Sequence, residues 1–104
     1  MNKKTATNDL AKSAAKAEAL LKQLANAARL RILCSLMEEG RTVGELSDIA
    51  GLSQSAVSQH LAKMKDAGLV EATRQGQSMI YRLCSMEVRA VLSTLYLIYC
   101  GSKH

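Results

Sequence analysis

The chain has 104 residues, with 14 Lys+Arg against 9 Asp+Glu and a formal charge of +5. That length holds one domain. The charge points to a polyanion, nucleic acid or an anionic membrane surface, although the same charge also does no more than keep a small protein dissolved.

No apolar run reaches the roughly 18 residues that span a bilayer, so no membrane role is expected. The N-terminus has basic residues but no compact apolar stretch ahead of a cleavage site, so no signal peptide is read and a cytoplasmic protein is expected. Phe, Trp and Pro are absent, so Ala, Leu, Ile, Val and Met must pack the core, which suits helices.

Residues 1–8 are polar and read as a disordered arm. A first helix is expected over about 9–25, with Leu10, Ala14, Ala17, Leu21 and Leu24 at helical spacing. Lys3, Lys4, Lys12, Lys16 and Lys22 give it a basic face, best read as solvated. Asn26 caps a second helix over about 27–39, with Leu30, Leu33 and Leu36 or Met37 inward, and Gly40 stops it. Arg29 reads first as a scaffold contact on that helix and second as a phosphate contact.

Residues 42–69 are the most informative stretch. Thr42 and Glu45 have the spacing of a capping box, and Val43, Leu46, Ile49 and Ala50 supply an apolar face. Gly51 ends this helix, Leu52 plugs the corner and Ser53 caps the next one. Ala56, Val57, Leu61, Met64 and Leu69 then point inward. The other face carries Gln54, Ser55, Ser58, Gln59, His60, Lys63 and Lys65. A face of amides, hydroxyls and bases with almost no acid suits a DNA major groove: Gln reads adenine edges, Ser adapts, and Lys meets guanine or phosphate. The expected contacts there are Ser53, Gln54, Ser55, Ser58, Gln59, His60 and Lys63.

The period then changes from helix to strand. Val70 and Ala72, and after a turn at 74–77 Met79, Tyr81 and Leu83, alternate as in a hairpin with Gly76 at its tip. Arg74, Gln75, Gln77 and Arg82 make the tip polar and basic. It reads as a wing that meets phosphates or the minor groove, chiefly through Arg74 and Gln77, or else as a solvated turn. A last helix over about 86–100 carries Val88, Val91, Leu92, Leu95, Ile98 and Tyr99 on one stripe, and residues 101–104 form a tail. Met64, Met79 and Met86 read as core, and Tyr81, Tyr96 and Tyr99 as packing.

The fold class is therefore mainly α with a two-stranded β-hairpin, a winged helix-turn-helix in the order α-α-α-α-β-β-α. Both terminal helices are unusually apolar for so small a chain. A homodimer through them would bury the excess and present two recognition helices to two half-sites. Alternatively, both close the monomer's own core.

The segments ARLRIL (28–33), TVGELSDIAGLSQSAVSQHLAKMKDAGLV (42–70) and IYRL (80–83) resemble the ArsR/SmtB family of bacterial winged-helix repressors over about residues 10–100. The resemblance implies a homodimer that binds double-stranded DNA at a palindromic operator and leaves it when a chemical signal arrives. Metal-sensing members place a Cys-x-Cys-type motif where this chain has Thr42-Val43-Gly44-Glu45-Leu46, and zinc-sensing members use Asp and His on the last helix, which here has one Glu and no His. His60 and His104 are too isolated to build a metal site. Neither a metal nor any other cofactor is expected.

Three cysteines remain, Cys34, Cys84 and Cys100. Within the family the chain is similar to the thiol-sensing, HlyU/BigR/SqrR-like branch, which has one Cys at the ILC position and another at the YC position. The resemblance implies that Cys34 and Cys100 form a disulfide or polysulfide bridge as the redox sensor. On residue type alone each would be a small hydrophobe filling the core, and Cys84, at no family position, reads as packing. The rival function is a thiol-insensitive anti-silencer that raises virulence-gene expression by competing with another DNA-binding protein. With no nucleophile beside a base, no paired carboxylates and no Gly-rich phosphate loop, an enzyme is not expected.

Overall fold

The structure is a computed structural model that describes residues 9–101. Residues 1–8 and 102–104 lie outside the described residues. They include the expected arm, most of the tail, Lys3, Lys4, Lys103 and His104.

Residues 9–12 are helical, and Ser13 interrupts the helix before α1 (Ala14–Leu24) resumes. The Ser13 N–H is shared between the carbonyls of Asp9 and Leu10, at 3.2 and 3.1 Å. That tightened turn splits the single helix expected over 9–25. Asn26 caps α2 (Ala27–Leu36) as expected, its side chain accepting from the Arg29 N–H. The helix ends three residues before the expected 39. Here the Met37 N–H divides between the Leu33 and Cys34 carbonyls, the Ser35 hydroxyl donates to Ile32 O, and Arg41 Nε donates to Ser35 O. The last turn's acceptors are thus satisfied by a tighter turn and a side chain rather than by more helix.

Thr42 and Glu45 form a full capping box on α3 (Val43–Ala50). Gly51 follows at φ 68°, a left-handed conformation that a side chain would strain. The Ser47 hydroxyl donates to Leu52 O across this corner. Ser53 then caps α4 (Gln54–Asp66), accepting from the Ala56 N–H at 3.1 Å.

The strands β1 (Val70–Gln75) and β2 (Ser78–Leu83) pair antiparallel, from Val70 opposite Leu83 to Gln75 opposite Ser78. The loop is only Gly76 and Gln77. Positive φ at Gly76 alone is the sign pattern of a type II′ turn, which matches strand twist. Arg74 therefore lies in the strand rather than in the turn expected over 74–77. Arg41 adds a rung unforeseen in the sequence. Its backbone exchanges hydrogen bonds with Tyr81 at 3.0 and 2.8 Å, so the α2–α3 linker lies along β2. Ser85 caps α5 (Met86–Tyr99).

One core joins these elements. Ile32, Leu33 and Leu36 of α2 meet Leu46 and Ala50 of α3, Val57, Leu61 and Met64 of α4, Leu69, Val70 and Leu83 of the hairpin, and Val88 and Leu92 of α5. Each fully buried aliphatic side chain contributes about 1.5–3 kcal/mol. Leu24 is the sole fully buried residue of α1. Among the described residues no helix is long and apolar enough to cross a membrane.

Candidate nucleic-acid interface and thiol pair

Helix α4 is held down by its apolar side, with Val57, Leu61 and Met64 fully enclosed. The opposite side is open. Gln54, Ser55, Ser58, Gln59 and Lys63 are exposed, as is the capping residue Ser53, and no carboxylate occurs between Gln54 and Lys65. Their exposure follows from period: positions 57, 61 and 64 are spoken for by the core, and the intervening residues point away.

Two of the expected contact residues carry structural duties as well. The Ser53 hydroxyl oxygen caps its helix. Gln54 leans over the start of α3, its amide nitrogen 3.6 Å from where a Cβ on Gly44 would stand.

His60 differs from its neighbours. It is half-buried, and its Nδ1 accepts from Arg29 Nε at 3.2 Å. The ring is therefore neutral with its proton on Nε2. Burial, then the charges of Arg29 and Lys63, hold its pKa below the ordinary 6.5. Arg29 also donates through Nη1 to Gln23 Oε1 at 3.0 Å, so it is the scaffold contact expected of it. Gln23 escaped the sequence reading because a lone amide on a helix face gives no spacing signal.

The wing is exposed at Arg74 and Gln77. Arg82 is tied across the hairpin to the Thr73 hydroxyl at 2.8 Å. Tyr81 and Met79 are half-buried as expected of packing residues.

On the terminal helices the single chain leaves much of the apolar surface uncovered. Met86 is exposed at the start of α5, and Tyr96, Leu97, Ile98 and Tyr99 form an exposed apolar end to it, at 60–72 % exposure. Leu10 and Leu21 are likewise open, at 70 and 56 %. The stripe on α5 was read as one face, yet the chain's own core covers only Val88, Leu92 and in part Val91 and Leu95.

All three cysteines are free thiols at exposed positions, so none is core filler. Cys34 and Cys100 lie within reach of each other's charge. Burial raises the Cys34 pKa, and a Cys100 thiolate would raise it further. Cys84, expected to pack, instead sits at the β2–α5 junction with its Sγ 3.5 Å from Gly68 O. Its pKa is raised by burial and by Glu71. Among the described residues no group of three or more His, Cys, Asp and Glu side chains is placed to hold a metal ion.

Two capped helices around a glycine corner, an open polar and basic helix and an adjoining two-stranded wing define a winged helix-turn-helix regulator. The chain belongs to the arsR family of bacterial regulatory proteins, whose pattern matches residues 26–72. It is 47 % identical to the transcriptional activator HlyU of Vibrio cholerae over 95 residues, 91 % of this chain and 88 % of the relative. The solved structure of reduced HlyU from that organism superposes with a TM-score of 0.82, covering 88 % of this chain and 97 % of that one. The transcriptional repressor BigR from Xylella fastidiosa, 34 % identical, superposes at 0.84 over 90 % of this chain and 96 % of its own. The chain is thus a bacterial transcriptional regulator and not an enzyme.

Proposed function

We propose that two copies of this chain bind a palindromic DNA operator as a cytoplasmic repressor, and that joining Cys34 to Cys100 releases it. The observation that carries the DNA reading is the open face of α4. Ser53, Gln54, Ser55, Ser58, Gln59, His60 and Lys63 gather donors and positive charge on one side of a helix pinned by Val57, Leu61 and Met64. Arg74 and Gln77 extend that surface to the flanking backbone. The uncovered ends of α1 and α5 support the second copy.

The thiol step is supported by the exposure of both thiols and by the electrostatic influence of Cys100 on Cys34. With peroxide as oxidant, two thiols give up two protons and two electrons, one S–S bond forms, and the peroxide O–O bond breaks to give two waters. With a polysulfide such as trisulfane, its two S–S bonds break, its central sulfur enters the bridge between the two cysteines, and its two outer sulfurs leave as hydrogen sulfide carrying the thiol protons. The raised pKa keeps Cys34 in its less reactive thiol form at neutral pH. A closed bridge needs Cα atoms within about 7 Å, so it strains α2 against α5, the helices that carry the reading head and the proposed dimer contact.

The test is binding to the operator with the protein reduced, after peroxide and after polysulfide, with intact mass on each sample. Release accompanied by loss of two hydrogens or gain of sulfur, absent in Cys34→Ser, is expected. Release of Cys34→Ser by the same oxidant would reject the bridge. A second reading has one specific support, that the Vibrio relative is a transcriptional activator. In it the protein displaces another DNA-binding protein, and thiol-insensitive binding would favour it.

A further inference from the structure

We propose that Arg29 is a positioning residue for the recognition helix. Held between Gln23 on α1 and His60 on α4, it fixes the rotation of α4 and sets which imidazole nitrogen faces outward as a donor. This inference rests on the reading of α4 as the DNA-contacting helix.

Three half-buried side chains from three helices meet here. Arg29 Nε donates to His60 Nδ1 at 3.2 Å and Nη1 donates to Gln23 Oε1 at 3.0 Å, contacts that span 31 and 6 residues of sequence. The Arg29 backbone is pinned in the first turn of α2 by the Asn26 cap at 3.0 Å. No carboxylate partners Arg29 in the salt bridges among the described residues. A guanidinium spent on two neutral acceptors gains direction rather than charge neutralisation.

That direction is what α4 lacks elsewhere. Val57, Leu61 and Met64 seat the helix and choose its buried face, but apolar contacts are non-directional and leave the last degrees of rotation to a polar tie. A hydrogen bond is directional, and this one acts at the half-buried flank of the helix. Accepting at Nδ1 leaves His60 with an Nε2–H, a donor suited to a base acceptor. The other role open to Arg29 is direct phosphate contact through its remaining N–H groups. The two roles have different signatures, because phosphate contacts weaken all sequences alike and positioning weakens the preferred one.

The test is a double-variant cycle on the full chain, with the duplex that the wild type enriches from a random pool and an unrelated duplex as probes. Arg29→Met should weaken the enriched duplex about 10-fold and the unrelated one less than about 2-fold. His60→Ala should do about the same, and the double variant should be no more than about 2-fold worse than either. The salt slope of Arg29→Met should match the wild type. Gln23→Leu, which cuts the chain from the α1 side and leaves α2 and α4 intact, should cost about 3-fold on the enriched duplex only, and it decides the matter should Arg29→Met not fold.

Losses that multiply in the double variant, equal losses on both duplexes, or a slope reduced by about one would each overturn the positioning role. A wild type that enriches no sequence would overturn the DNA reading itself and this role with it, before any variant is compared.

Discussion

The reading head, α3, α4 and the wing, and the terminal helices α1 and α5 treat apolar surface in opposite ways. In the first, each helix is capped by a side chain at its start, and Leu46, Val57, Leu61 and Met64 are all enclosed. In the second, α1 buries one residue fully and α5 two, while Leu10, Leu21 and Tyr96 to Tyr99 stand open. The head is finished within one chain. The terminal helices are not, and large exposed apolar patches mark association surfaces. On the proposed reading, a protein built this way separates recognition, which must be rigid, from assembly, which a chemical signal on α2 and α5 perturbs.

The sharpest way to break this contrast is to damage each half alone. Leu61→Ala empties a site in the head that one chain fills by itself, and should cost about 3 kcal/mol of stability at every protein concentration, read by urea unfolding. Leu97→Glu places a charge on the open end of α5. It should leave the monomer folded by circular dichroism, abolish dimerisation in sedimentation, and weaken operator binding about 100-fold, about 2.7 kcal/mol. A wild type already monomeric at micromolar concentration would erase the distinction.

Two smaller effects sharpen the picture of the head. Gln59→Ala should lose about 1–3 kcal/mol of discrimination at one base position without altering stability, measured by binding to single-base variants of the operator. His60 should give the smallest effect. Its folded pKa lies below the ordinary 6.5, so above that value it is neutral in both states and contributes no pH dependence. As pH falls through 6.5 the unfolded chain takes up the proton first, and stability declines until the folded pKa is passed. Urea midpoints at pH 7.5 and 5.5 should differ more for the wild type than for His60→Gln.

How much of this was legible in the sequence follows the same division. The Thr42–Glu45 box, the Gly51 corner and the Ser53 cap are local chemistry at fixed spacing, and the structure has all three. Helix ends set by tightened turns and a side-chain reach, which leave no fixed residue signature, were misplaced. Arg41 reaching Ser35 O shortens α2, and the shared Ser13 N–H divides the first helix. The Arg41–Tyr81 rung and the Gln23–Arg29–His60 chain join residues far apart in sequence, and no periodicity encodes them. Tyr96, Tyr99 and Met86 were misread as packing for a related reason. Hydrophobicity says that a residue seeks cover, not which chain supplies it. The cysteine pair was visible only through family resemblance, because a separation of 66 positions fixes no distance.

The most direct test of the central claim is selection of binding sites from random duplex DNA by the reduced protein, followed by footprinting and stoichiometry on the enriched sequence. An inverted repeat is expected, with half-site centres about one helical turn, some 34–36 Å, apart and two chains bound per duplex. Enrichment of no sequence, or a single half-site held by one chain, would contradict it.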